Sequence, residues 1–114
     1  MKIIISENQE LDVKKKFIFM LLNNRNYNLV ENNDDIYFVK NIVDKYAEIR
    51  YDKNNGWCGI ESDLISFFST ITGFKGFDVK DLVIRWVEHT LQMVVNSYSR
   101  TGLTATSWLK IPYN

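Results

Sequence analysis

Cysteine, histidine and proline each occur once in these 114 residues, as Cys58, His89 and Pro112, and glycine only five times. A single cysteine cannot close an internal disulfide, which excludes the stapled scaffolds of small secreted domains. One Cys and one His also fall short of the ligands that an ordinary structural zinc site draws from those residue types. A dominant sign of charge is missing as well. Lys and Arg number 14, Asp and Glu 14, and the balance holds on both sides of residue 60. Strong non-specific attraction to phosphate is therefore not expected. Long hydrophobic runs are absent too: the apolar opening Ile3-Ile4-Ile5 gives way at once to Ser6-Glu7-Asn8-Gln9-Glu10. That run is too short for a signal peptide or a membrane span, so the expectation is a cytoplasmic setting without membrane partners.

Large apolar side chains are plentiful: seven Phe, six Tyr and three Trp, within a chain that is 46% hydrophobic. This supply suits one packed core, and the length suits one compact domain over residues 1–114, with 97–114 a candidate terminal arm. Ile3–Ile5 favour a short strand, and Ser6 with Gln9 has the spacing of a capping box. Leu11, Lys14, Ile18 and Leu22 follow one helical track, widened by Phe17 and Leu21, which predicts a helix over 9–23. Residues 36–39 suit a strand. Over 46–51, Ala47, Ile49 and Tyr51 alternate with Tyr46, Glu48 and Arg50, the period of a half-buried strand.

Asp52-Lys53-Asn54-Asn55-Gly56 reads as a turn, because Asn and Gly tolerate positive φ, and Trp57–Ile60 as the returning strand. Leu64, Phe67, Phe68 and Ile71 predict a helix over 62–72 capped by Ser62. After Gly73 and Gly76, a broad stripe from Val79 to Val95 predicts a helix over 78–95, capped by Asp78 and carrying an Asp81–Arg85 pair. Residues 96–102 read as turn or loop, and 104–109 as weakly extended. The fold expected is α+β: a small antiparallel sheet packed against about three helices. A predominantly helical fold is the competitor, reached if 36–51 form one helix.

No constellation of reactive groups emerges. His89 follows Glu88 on the third helix and reads as a surface or boundary residue. Cys58, between Trp57 and Gly59, suits a buried strand end. The run from Asp52 has Trp57 where a calcium loop needs glycine and Asp63 where it needs glutamate. Gly73-Phe74-Lys75-Gly76 lacks the spacing of a phosphate cradle. No catalytic residues, metal or cofactor are expected, and the chain reads as a non-enzyme.

The aromatics point instead to contact with another protein or a second copy of the chain. Phe74 and Phe77, around the glycines, and Trp108, near the C-terminus, are the candidate interface residues. The alternative is a small nucleic-acid-binding protein using the basic first helix, with Lys14, Lys15 and Lys16 as the contacts. The opening KIIISENQ followed by a short helix resembles openings found in small phage-encoded proteins. Twelve Asn and twelve Ile also fit an adenine–thymine-rich coding sequence. The resemblance implies a viral or mobile-element origin, with a role in a virion, in assembly or in binding a host factor. The function expected is thus a non-catalytic interaction or structural protein.

Overall fold

Two asparagines in the left-handed backbone region mark where the first half of the chain changes direction. Asn26 (φ 52°) ends helix α1, Glu7–Asn24, and Asn33 (φ 54°) sits in the two-residue turn between β1, Asn28–Asn32, and β2, Asp35–Val39. Asn adopts this region more readily than most residues with a side chain. The computed structural model describes residues 7–100 and 109–111. The expected strand at Ile3–Ile5, the Ser6 capping hydroxyl, most of the extended stretch 104–109 and Trp108 lie outside them.

The second hairpin forms where the sequence places its turn. β3, Ile49–Asp52, returns as β4, Trp57–Ile60. Asp52 organises the turn: its carboxylate accepts from the Asn54 amide at 2.9 Å and from Asn55 Nδ2 at 3.1 Å, while its carbonyl accepts from Gly56 N at 2.8 Å. Gly56 (φ 65°) completes the reversal. The two hairpin turns are also tied to each other, because Asp34 accepts from Lys53 N at 2.8 Å and from Asn54 Nδ2 at 2.6 Å.

Helix α2, Ser62–Thr72, and helix α3, Gly76–Leu91, follow. Two expected caps shift. Glu61, not Ser62, caps α2, its carboxylate accepting from Asp63 N. α3 starts two residues before Asp78, which therefore lies in the first turn, where a carboxylate still favours the helix dipole. α3 also ends at Leu91 rather than residue 95, because Gln92 takes φ 55° and its amide closes on the Glu88 carbonyl. Gly73 (φ 75°) ends α2 with its amide on the Ser69 carbonyl at 2.9 Å.

The fold is α+β, with four antiparallel strands in the order β1-β2-β3-β4. The segment read as a turn or loop after Asn96 supplies a fifth strand, β5, Ser97–Arg100, parallel to β4 with Trp57 opposite Ser97. A parallel neighbour needs a long crossover, and α2 with α3 provides it.

The sheet is covered on both faces. Ile36, Phe38, Ile49, Tyr51, Cys58 and Ile60 join the helices in the main core around Ile18, Leu22, Phe68, Val83 and Val87. On the opposite face Tyr37, Val39 and Ala47 pack with Leu109 and Ile111. This second layer is held by backbone bonds from Ala47 N to the Leu109 carbonyl and from Ile111 N to the Lys45 carbonyl, each 2.9 Å. β2 is thus buried on both sides, which explains its unbroken apolar run Ile36–Val39. Ala47, Ile49 and Tyr51 are all buried, but Ala47 joins the opposite layer from Ile49 and Tyr51, because regular strand pairing begins only at Ile49.

Candidate interaction surface

The ionisable side chains that leave water are paired among themselves. Just past α1, the Arg25 guanidinium grips the Glu48 carboxylate at 2.6 and 2.7 Å, and its Nε donates to the Tyr27 hydroxyl at 3.0 Å. The rings of Tyr27, Phe67 and Phe68 surround the cation at 5.7–5.9 Å. Burial lowers the Arg25 pKa, but the Glu48 bond and the neighbouring charges outweigh it and leave the guanidinium more firmly protonated than usual. Burial, reinforced by the Glu48 charge, raises the Tyr27 phenol well above its ordinary 10.0. Arg25, past the end of the predicted helix 9–23, is therefore a clamp joining the end of α1, the start of β3 and α2. No buried side-chain polar atom among the described residues lacks a hydrogen-bond partner.

The candidate reactive groups are not brought together. Cys58 is fully buried, and burial with the nearby Glu88 carboxylate pushes its thiol up to about 12. His89 lies exposed against the Phe19 ring, centroids 5.9 Å apart. The three lysines of α1 also diverge, since successive helical residues turn by about 100°. Lys14 pairs with Glu10 (3.4 Å) and Asp78 (3.9 Å) and lies over Phe74; Lys15 lies over Phe19; Lys16 is exposed. They do not form one positive path.

Apolar exposure is more organised. On α1, Val13, Phe17 and Met20 follow the i, i+4, i+7 spacing of one helical stripe and stay 61, 41 and 48% exposed. This stripe lies away from the core residues Ile18 and Leu22. On α2, Phe67 and Ile71 are one turn apart and half exposed. Two contacts link the segments around these helices, one through Phe74 just past the end of α2 and one through Arg25 just past the end of α1. Phe17 meets Phe74 edge to face at 6.4 Å, and Arg25 meets Phe67 at 5.9 Å. The five outward side chains of α1 and α2 together present an apolar surface on the order of 500 Å², taking about half of each side chain's area as exposed.

Of the sequence candidates, Phe74 is half-buried beside Phe17, packed against the core. Phe77, in the first turn of α3, is 67% exposed. Phe67 and Ile71, whose period predicts the helix, contribute more to the surface than Phe74. Their spacing identifies a helix face but not which shoulder of it meets solvent. No helix among the described residues is long and apolar enough to cross a membrane, and no group of three His, Cys, Asp or Glu is placed to hold a metal ion. Comparison with protein-family models, curated protein sequences and solved structures finds no match to this chain.

Proposed function

We propose that this protein works by binding another protein, as a non-catalytic interaction or assembly module, through the outward apolar residues of α1 and α2. The observation that carries this reading is the exposure of Val13, Phe17 and Met20 on α1 and of Phe67 and Ile71 on α2, all large, apolar and accessible. An exposed apolar area of this size is at the upper end for an isolated soluble chain and is where partners dock. Phe17 and Phe67 are rigid anchors whose burial removes much area at little conformational cost. A role in assembly also agrees with what the opening residues' likeness to phage-encoded proteins implies. A nucleic-acid contact through Lys14, Lys15 and Lys16 draws less support, because the three diverge and Lys14 is already held by two carboxylates.

The test is a double substitution, Phe17→Lys with Phe67→Lys, followed by affinity capture from the source cells and by thermal unfolding. Loss of a captured partner with the melting transition retained is the expected result. Equal capture by both proteins would overturn the assignment of the face. Phe77→Lys, measured alongside, establishes whether the face extends to the start of α3.

A further inference from the structure

The β2–β3 connection presents Val43, at 82% the most exposed large hydrophobic among the described residues, with Ile42 beside it at 68%. This loop has a defined shape. Asp44 N donates to the Asn41 carbonyl and Asn41 N to the Asp44 carboxylate, both at 2.9 Å, which closes the tip on itself. Its base is fixed by the bond from Ile111 N to the Lys45 carbonyl and by the Tyr46–Lys110 bridge. Lys40, Lys45 and Lys110 are all exposed around it, and none is ion-paired among the described residues. The tip is therefore apolar at its apex and basic at its rim, with Asp44 the one carboxylate inside the loop.

A cleft of about 170 Å³ between α1 and α3 has the complementary character. Leu11 and the buried Leu82 line it, and Glu10, Asp78 and Asp81 surround it. Lys14 is the only cation in the lining, and Arg85 holds Asp81 from one side at 3.4 Å. A space of this size accepts a small apolar group, since a cavity near 150 Å³ takes benzene.

From these two features we infer that the chain self-associates head to tail, the Lys40–Tyr46 loop of one copy seating Val43 and Ile42 in the α1–α3 cleft of the next. Charge complementarity selects a second copy as the occupant: the tip carries Lys40, Lys45 and Lys110 against Asp44 and is net positive, whereas the cleft carries Glu10, Asp78 and Asp81 against Lys14 and Arg85 and is net negative. The tip cannot reach its own cleft. α1 alone separates Lys14, at the cleft, from the Arg25 clamp on Glu48 by about 16 Å, and the loop lies beyond that clamp. The formal charge of zero leaves no net repulsion between copies. A contact between two different surfaces does not close on itself unless the rotation happens to form a ring, so the expected product is a growing chain of copies. This contact is separate from the α1–α2 face and does not depend on it.

Sedimentation velocity of the full chain over a concentration series, at low and high salt, tests the inference. The wild type is expected to sediment faster with concentration, without a plateau at dimer, and more slowly in high salt because the rim charges are screened. Val43→Asp disables the tip and Leu11→Arg blocks the cleft; each is expected to weaken association by at least about tenfold. Circular dichroism checks that both variants fold. The decisive sample is their equimolar mixture. One intact cleft and one intact tip remain, so a heterodimer that grows no further is expected. A wild type that stays monomeric throughout would overturn the inference, as would variants that associate alone or a mixture that stays monomeric. Phe17→Lys with Phe67→Lys should leave this association unchanged; its loss there would assign self-association to the helical face instead.

Discussion

Cys58 lies opposite Tyr51 in the β3–β4 ladder and out of reach of water. A thiol held up to about 12 is protonated at neutral pH, and only the thiolate is a good nucleophile. The native protein should therefore resist alkylation at pH 8 and react promptly once unfolded in urea, which mass measurement after a timed iodoacetamide pulse will show. Burial raises the phenols of Tyr27, Tyr37 and Tyr51 in the same direction. Each such group keeps its proton in the folded chain at a pH where the unfolded chain has released it. Stability is therefore whole below about pH 9 and falls as the pH climbs towards 12, by about 1.4 kcal/mol per pH unit for the thiol alone. Urea titrations at pH 8 and pH 10.5 give the slope, and a rise in stability at the higher pH would contradict the assignment. Gly56 is the other single residue with a sharp expectation. Its φ of 65° disfavours a side chain, and a Cβ there would press on the Asn96 amide. Gly56→Ala should cost about 1–2 kcal/mol in the same titration, mainly through the turn and the start of β5.

Among the elements, the Arg25 clamp joins more parts of the chain than any other polar contact described. Arg25→Ala leaves Glu48 facing the hydrophobic wall without its partner and should cost about 3 kcal/mol. Arg25→Lys should recover only part of that, because an ammonium cannot make the paired bonds or lie flat against three rings. Denaturant unfolding with an unchanged m-value is the measurement. The contrast between this clamp and α3 explains how much of the fold could be read beforehand. The α3 stripe, the Asp81–Arg85 pair and the Asp52–Gly56 turn are local, and local spacing reveals them. β1 offers only Leu29 and Val30 between asparagines, and it forms because Tyr37 and Phe38 give it a partner. β5 is a strand because β4 lies beside it, a pairing across more than a helix pair that no local pattern records. The same holds for the surface. Phe74 and Phe77 stand out by their glycine neighbours, whereas the spacing of Phe67 and Ile71 marks a helix and not the side of it that meets solvent.

At the scale of the whole molecule, the two proposed contacts draw on different surfaces: the outward apolar residues of α1 and α2, and a small basic-rimmed tip. The two regions should respond to different conditions. Binding by the face, carried by area, should persist in high salt, whereas association through the tip should fade. Comparing wild type and Phe17→Lys/Phe67→Lys in both salts separates them. A partner-binding signal lost in high salt while the double substitution leaves it intact would assign that signal to the tip.

Among the described residues, Tyr37 and Val39 share their outer layer with Ala47 and with Leu109 and Ile111, the last two roughly seventy residues later. During translation, β2 emerges long before the residues that shield it, and β5 is also still unmade when the first two hairpins leave the ribosome. A nascent chain stalled near residue 95 would therefore present a greasy, half-covered strand layer to chaperones. Release of the last segment, rather than formation of the helices, would then mark the moment at which the protein ceases to be a chaperone client.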